Sequence, residues 1–497
     1  MASTEVINLP TTDLHAQQAI DHSSDASGQN GPQSHPHPVT HPESLHWDKV
    51  NETHYTRSFD PFEQTFSALC YDPDRPKFRS IDTFSSASIE TRRQPQEVVE
   101  MAQNAWIRLR YLHPALAAEV SPNGFRYIAL ENKLQLKEWL DETFVVKDWD
   151  PSMETQGCED FSIAPIREKP IMYYFPSEQR FVLRTNHMHA DAHAAVGLFQ
   201  DFFAEMARLG SGGDVIHEPL GAEVQNLASS AFDLAGVTSS SNLLSCFPEP
   251  RADDEAFEIP STNNTLDPGA GKTQSADFTA EQTQELISRA KTMRLGITSF
   301  VHAAILHASK KISPETDHRT HSTFLIFNFR ERCCGQPPNA THRAAALRIG
   351  FWPVQVKMSD ESLGTAFRLK HEYNSLTEHK LAVLAAMVPC LQRSASVIPK
   401  EYFQGIMPSF FGDLSKSFPE TYDSFKVQKF WMVGVPTNER IYLGIQTFRN
   451  RLSVRACYNQ SYHSDKQVAE YLKQIKKEIY KSALADIASW SLLSTKL

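Results

Sequence analysis

A histidine-rich turn between a strand and a helix restricts this chain more than any other stretch. Residues 181–183 (Phe-Val-Leu) are a short apolar run typical of a buried strand. Apolar residues then recur at helical spacing, at Val196, Phe199, Phe203 and Met206. Between the two lie residues 186–193, Asn-His-Met-His-Ala-Asp-Ala-His. Because polar, titratable side chains are costly to bury without partners, their concentration at one rigid junction predicts a chemical site.

Two kinds of chemistry fit this junction. As an H-x-x-x-D pair, His187 is a general base whose ordinary pKa lies near working pH, and Asp191 points away and braces the loop. As an H-x-H-x-D cluster, His187, His189 and Asp191 bind a metal ion. That metal pattern requires a histidine directly after the aspartate, where this chain has Ala192. Asp191 is also expected to cap the following helix, and capping without any chemistry is the third interpretation.

Composition narrows the class of protein. The 497 residues suggest two domains or one large unit in two parts. The net charge of -10 argues against nucleic-acid binding, which needs a basic face. The odd number of cysteines, seven, does not indicate a disulfide framework. We expect no signal peptide, no membrane insertion and a cytoplasmic location, because neither a basic-then-apolar leader nor a long apolar run is present.

The pattern along the chain predicts four segments. Residues 1–45 contain no Phe, Tyr or Trp and many Ser, Gln, His and Pro, which predicts a disordered tail. Strand and helix patterns alternate over residues 46–209, and they alternate again over residues 277–497. The loop-rich composition of residues 210–276 predicts a crossover between these two parts. The predicted class is therefore mixed α/β.

The chain resembles the CoA-dependent acyltransferases that share the chloramphenicol acetyltransferase fold. That superfamily includes condensation domains of peptide synthetases, plant BAHD acyltransferases and fungal trichothecene acetyltransferases. The matching segments, in the family's order, are His113-Pro114-x-Leu116, His187-x-x-x-Asp191, Asn328-Phe329-Arg330, Ser409-Phe410-Phe411-Gly412, and Leu452-Ser453-Val454 followed by Tyr458-Asn459. This order disfavours the metallo-hydrolase, whose later ligand motifs are not found.

The departures from the pattern favour one branch of the superfamily. Condensation domains usually read His-His-x-x-x-Asp-Gly, whereas this chain has Asn186 in place of the first His and Ala192 in place of the Gly. The Asp-Phe-Gly-Trp-Gly signature of the plant enzymes is absent. The chain therefore looks most similar to the fungal secondary-metabolite acyltransferases.

The resemblance implies two similar halves, each a mixed sheet with flanking helices, that meet along a central tunnel in a monomer. His187 would remove a proton from a hydroxyl or amine of a small secondary metabolite as that atom attacks the thioester of an acyl-CoA. The acyl group is expected to be acetyl, with acyl-CoA as co-substrate and no bound cofactor or metal. The alternatives are a carrier-protein-dependent condensation or cyclase-type enzyme, a non-catalytic binder on the same fold, and the H-x-H-x-D metallo-hydrolase.

The resemblance also assigns roles to residues outside the turn. Asp191 would be a structural brace paired with Arg330, and Ser409 would donate a hydrogen bond to the oxyanion. Further side chains would line the tunnel and contact the substrate, namely Phe351, Trp352 and Trp431.

Overall fold

The computed structural model describes only part of the chain. The described residues are 46–70, 82–121, 124–147, 169–236, 257, 259–262, 269–313, 320–334, 345–375, 406–436 and 439–484. The predicted tail, residues 1–45, lies outside this part, as does most of the predicted crossover beyond residue 236.

Strands and helices alternate through both predicted parts of the chain. Before residue 262 the elements are β1 (Asp48–Lys49), β2 (His54–Ser58), α1 (Pro61–Cys70), β3 (Asp82–Thr91), α2 (Pro95–Leu112), β4 (Glu119–Ser121), β5 (Gly124–Ile128), α3 (Lys133–Thr143), β6 (Phe144–Val146), β7 (Ile171–Phe175), β8 (Arg180–Asn186), α4 (Ala192–Gly210) and α5 (Ala231–Leu234). After it come β9 (Gly271–Asp277), α6 (Ala280–Thr292), α7 (Ile297–Ile312), β10 (Thr320–Asn328), β11 (Ile349–Lys357), β12 (Met407–Asp413), β13 (Phe425–Val435), β14 (Tyr442–Phe448), β15 (Arg451–Asn459) and α8 (Asp465–Leu484). Residues 362–375 are also helical. The predicted α/β class is confirmed.

A five-stranded sheet carries the histidine motif at the end of a central strand. Its order is β13-β3-β8-β7-β6, with β8 antiparallel to both neighbours and β6 parallel to β7. The outer strand β13 was predicted near residues 426–433 and belongs to the second part of the chain. It pairs antiparallel with β3, so a strand from the second part completes the sheet of the first.

The other strands form three further sheets. A four-stranded sheet has the order β12-β14-β15-β9, and β10 pairs with β11 in a two-stranded sheet. The small sheet β1-β2-β5-β4 belongs to the first part. Strand β9 begins at Gly271, within the stretch predicted as crossover, and it hydrogen-bonds along the edge of β15.

Helix ends follow the local signals in the sequence. The predicted capping box of α6 is present, because Thr279 Oγ1 accepts the Gln282 N–H at 3.2 Å and Gln282 Oε1 accepts the Thr279 N–H at 3.0 Å. Ser464 Oγ accepts the Gln467 N–H at the start of α8, as predicted. The four apolar residues expected to face the core from α8 are all buried, namely Val468, Leu472, Ile475 and Ile479.

Helix α4 packs firmly against one face of the five-stranded sheet. Phe181 of β8 contacts Phe202 edge-on at a ring distance of 5.2 Å, and both side chains are fully buried. Burying one such ring contributes about 1.5–3 kcal/mol, so this contact helps to hold the strand and the helix together. His113, from the first matched segment, ties the end of α2 to α4, since its Nε2 lies 3.0 Å from Asp201 Oδ2. The turn between β8 and α4 is thus held between two rigid elements.

Helices of the described residues are too short or too polar to cross a membrane.

Candidate active site

The turn after β8 is shaped by Asn186. Its Oδ1 accepts the Met188 N–H at 2.9 Å, and its main-chain carbonyl accepts the His189 N–H at 2.9 Å. These two bonds close a tight turn over residues 187–189 and fix the direction in which each side chain leaves it. The asparagine that replaces the first histidine of condensation domains therefore has a defined structural role here.

His187 leaves this turn toward an aromatic wall. Its imidazole lies 5.0 Å from the ring of Phe66 in α1, and Phe66 in turn stacks on Phe351 of β11 at 5.3 Å. His187 as a whole residue is half-buried, and its Nδ1 atom is buried. Burial lowers the pKa of His187 below its ordinary value, although the Asp191 carboxylate and the residue's own carbonyl oppose the shift. Neutral imidazole is therefore the favoured form near pH 7.

Asp191 is buried and accepts hydrogen bonds from three segments of the chain. Its Oδ1 accepts the Ala194 N–H at 2.9 Å, which makes it the N-cap of α4 as predicted. Its Oδ2 accepts Arg330 Nη1–H at 2.8 Å and the main-chain N–H of Arg348 at 2.7 Å. Burial alone would raise the pKa of this carboxyl, but Arg330, His193 and the Ala194 N–H hold it below the usual range. Asp191 thus remains ionised, and both of its oxygens accept hydrogen bonds from groups other than His187.

The arginine predicted to pair with Asp191 is itself fixed in place. Arg330 is only 4% exposed, and its Nη2 donates to the Ala346 carbonyl at 3.0 Å. The side chain of Asn328, at the end of β10, accepts the Arg330 N–H at 3.0 Å. Since Arg348 directly precedes β11, the Asp191 carboxylate fastens the β10–β11 pair to the turn after β8. Phe351 lies on β11, so the hydrogen bonds of Asp191 to Arg330 and Arg348 also position the aromatic wall beside His187.

His189 has different neighbours from His187. It is 1% exposed, its Nε2 lies 2.8 Å from the Ala118 carbonyl, and its ring meets Phe125 edge-on at 6.1 Å. Within the described ranges no three His, Cys, Asp or Glu side chains are placed to hold one metal ion. The two histidines of the H-x-H-x-D pattern therefore contact different neighbours in this structure.

Ala192 fits where condensation domains have glycine. Left-handed backbone, with positive φ, occurs at four non-glycine residues of the described chain, and none of them lies in the turn. Ala192 is the first residue of α4, and its methyl group packs against the core. The methyl group therefore causes no backbone strain.

The remaining predicted site residues are spread over three strands. Ser409 lies half-buried in β12, opposite Gly444 of β14, and no hydrogen bond joins it to His187. Phe351 is 3% exposed and contacts Phe62 as well as Phe66. Trp352 is in β11, but its side chain lies outside the described residues. Trp431 packs with the cluster on the other face of the five-stranded sheet, and the Arg455 guanidinium lies 4.7 Å above its ring.

The sequence prediction missed two residues of the site. Phe66 contacts His187, and its only local signal was the Phe62-x-x-x-Phe66 spacing of one helical face. The main-chain N–H of Arg348 reaches Asp191, and no side-chain pattern can announce a backbone donor. Both were brought to the turn by the packing of distant segments.

Comparison with known proteins gives one consistent picture. No family model matches the sequence. The chain is 23% identical over 407 residues to the O-acetyltransferase pigM of Monascus ruber, covering 78% of this chain and 77% of that protein. It is 24% identical over 276 residues to the acyl-CoA-dependent acyltransferase MAC1 of Pseudozyma antarctica, covering 48% of this chain and 50% of that one.

The same fold occurs in a solved acetyltransferase structure. The TRI3 trichothecene 15-O-acetyltransferase from Fusarium sporotrichioides superposes with a TM-score of 0.70 at 15% sequence identity. The match covers 88% of this chain and 97% of that one. The predicted chloramphenicol acetyltransferase-like fold is confirmed, as is the resemblance to fungal members of the acyltransferase superfamily.

Proposed function

We propose that this chain transfers an acyl group, acetyl in the first instance, from coenzyme A to a hydroxyl or amine of a small secondary metabolite. The observation that carries the proposal is the division of labour in the turn. Asp191 accepts hydrogen bonds from Ala194, Arg330 and Arg348, while burial lowers the pKa of the half-buried His187 and favours its neutral form. The acetyltransferase relatives support the reaction class.

His187 is the general base of the proposed reaction. Because its Nδ1 is buried, we assign the proton-accepting role to Nε2. A neutral imidazole can take the acceptor's proton as the acceptor oxygen or nitrogen attacks, whereas an imidazolium cannot. Burial keeps the ring in the neutral form, and the Asp191 carboxylate stabilises the positive charge that develops on it. His187 then removes the proton from the acceptor and passes it to the leaving thiolate.

The proposed transfer takes place in a single ternary complex. The acceptor atom forms a bond to the thioester carbonyl carbon, which produces a tetrahedral oxyanion. Collapse of this oxyanion breaks the carbon–sulfur bond, and the imidazolium proton passes to the departing thiolate of coenzyme A. Holding both substrates beside one imidazole supplies much of the rate, so no covalent acyl-enzyme is required.

Three further residues receive roles in the proposal. Phe351, together with Phe66, forms an apolar wall that excludes water from one side of His187.

Ser409 is the proposed oxyanion donor, and loss of one such donor typically lowers kcat on the order of 10²-fold or more. Ser409→Ala should therefore reduce kcat with little change in KM. An unchanged kcat would remove Ser409 from the mechanism.

Steady-state kinetics tests whether the acyl group is transferred directly between the two substrates. Purified full-length protein is supplied with acetyl-CoA and extracts of the producing organism. A metabolite whose mass rises by about 42 Da, the gain expected for one acetyl group, is the acceptor. Varying both substrates should then give intersecting initial-rate lines, and intact-mass spectrometry should find no acylated protein. Parallel lines with a trapped acyl adduct would show a ping-pong mechanism and remove His187 as sole catalyst.

The identity of the donor is tested separately. Acetyl-CoA is compared with the same acyl group carried on an acyl carrier protein, at equal concentration. Turnover with acetyl-CoA but not with the carrier-linked donor supports the proposal. Turnover only with the carrier-linked donor would favour the condensation or cyclase-type alternative, while leaving the role of His187 intact.

A further inference from the structure

A groove on the outer side of the first part lies apart from the catalytic turn. It runs between helices α2 and α3 and is covered by residues 213–221, which follow α4 without regular secondary structure. Its volume is about 400 Å³, within the range of small-molecule sites. All of its lining residues belong to the described part of the chain, and none of them was given a role above.

The interior of the groove is apolar. Ile107 comes from α2, and Leu136 and Leu140 come from α3. The covering segment adds three side chains that remain unusually exposed: Val215 at 40%, Ile216 at 42% and Leu220 at 37%. Isolated exposed apolar residues are normal, but a cluster around a concave surface marks a site for an apolar ligand.

The covering segment is held at both of its ends. The Gly213 N–H donates to the Arg208 carbonyl at 3.0 Å, and Gly221 turns the chain with a positive φ of 80°. Between them, Glu218 forms an ion pair with Arg108 of α2. The groove is therefore a built feature with a fixed roof.

The acidic side chains of the groove are all occupied within the protein. Glu218 pairs with Arg108, and Glu205 pairs with Arg208 at 2.6 Å. Glu223 is buried and accepts the Tyr127 hydroxyl at 2.9 Å. Each of these three carboxylates therefore already has an ion-pair or hydrogen-bond partner within the protein.

The cations of the rim are available by contrast. Lys133 and Lys137 are exposed and lie one turn apart on α3. Among the described residues, no carboxylate lies within ion-pair distance of Lys133. Within the described ranges, Lys137 forms an ion pair with exposed Asp141 alone, and an exposed pair of this kind is worth little and exchanges readily. The rim thus favours a negatively charged group.

We propose that this groove binds a hydrophobic monocarboxylate of the fatty-acid class. Its hydrocarbon chain would lie among Leu136, Leu140 and Ile216, and its carboxylate would meet Lys133 and Lys137. The concave shape favours a single small molecule over a flat lipid surface. This site is independent of the proposed acyl transfer, because its lining includes neither His187 nor any residue that contacts it.

Calorimetric titration of the full-length chain with decanoate and with decanol tests the site. We expect one saturable site for decanoate. Ile216→Glu should weaken decanoate binding at least tenfold, since it places a charge in the apolar interior. Val50→Glu is the matched control, because Val50 is 62% exposed and does not line the groove, and it should leave binding unchanged.

The charge argument has its own pair of variants. The double substitution Lys133→Glu with Lys137→Glu should weaken decanoate at least fivefold and leave decanol within twofold. Lys477→Glu, at an exposed position on α8, should change neither.

Three results would overturn the proposal. The first is no saturable binding up to roughly 1 mM decanoate. The second is binding that Ile216→Glu does not weaken. The third is binding that acetyl-CoA displaces, which would place the ligand in the proposed catalytic site instead. None of these results bears on acyl transfer itself, which is measured in the absence of decanoate.

Discussion

Replacing Asp191 by Asn tests whether this residue is a brace. The carboxylate uses Oδ1 for the Ala194 N–H and Oδ2 for Arg330 and the Arg348 N–H. An amide has a single acceptor oxygen, so one side of the residue must present an NH2 group to an existing donor. The favoured orientation keeps the oxygen toward Arg330 and Arg348 and loses the cap.

The structure allows the size of this effect to be worked out. Loss of the cap costs about 1 kcal/mol. The bond to Arg330 loses its charge-assisted part, about 1–2 kcal/mol, because Arg330 is 4% exposed and gains no other anion. The free energy of unfolding should therefore fall by about 2–3 kcal/mol, which is less than the roughly 3–5 kcal/mol lost when a buried pair is broken outright.

The pH dependence supplies a signature that a simple packing defect lacks. The folded-state pKa of Asp191 lies below its ordinary value of 3.8. Its charge therefore stabilises the fold above that value, and the contribution is lost as pH falls through the lowered pKa. The difference in stability between wild type and Asp191→Asn should be constant near pH 7 and shrink below about pH 4.

Urea denaturation followed by tryptophan fluorescence measures these differences. Asp141→Asn is the matched control, since its partner Lys137 is exposed, and it should change stability by less than about 0.5 kcal/mol. An Asp191→Asn protein as stable as that control would refute the brace. So would a difference that persists undiminished at low pH.

Four shorter predictions follow from the same geometry. His187→Ala should keep the wild-type urea midpoint and lose about 10²–10⁴-fold in turnover. His371→Ala, at an exposed position, is the control and should keep its turnover. Unfolding of the His187→Ala protein would contradict the general-base role of His187. The pH profile of kcat/KM should rise with pH and level off, with a midpoint below the ordinary histidine value of 6.5, because only neutral imidazole accepts the proton; a midpoint above that value would contradict the effect of burial. Removing residues 1–45 should leave melting temperature and turnover unchanged, and a clear loss of either would show that they dock onto the fold. Elemental analysis of untagged protein should find no stoichiometric zinc, iron or manganese, and activity that chelators abolish would restore the metal interpretation.

Local patterns in the sequence were sufficient to predict most elements and to place His187 and Asp191 in a turn between a strand and a helix. The apolar run at residues 181–183 and the helical spacing after it predicted β8 and α4, because burial periodicity is a property of neighbouring residues. The same holds for the capping box at Thr279 and for the buried face of α8. His187 and Asp191 could be identified because both lie within five residues of one turn.

The order of motifs carried the interpretation one step further. Asn328-Phe329-Arg330 pointed to Arg330 as the partner of Asp191, and the two side chains meet at 2.8 Å although 139 residues separate them. Spacing alone could not have made that pairing, since any buried arginine would satisfy the carboxylate. It required the resemblance to a known fold.

Only the tertiary structure decided which distant segments meet at the turn. The sequence of β13 shows a strand but not its partner, because pairing depends on which sheet edge is free, and here that edge belongs to β3 of the first part. Trp431, predicted to line the substrate tunnel, packs on the other face of that sheet as a consequence. Phe66 and the Arg348 N–H reach the turn for the same reason: contacts across long loops are set by the packing of whole elements, and neither a hydrophobic side chain nor a backbone donor carries a local signal of its destination.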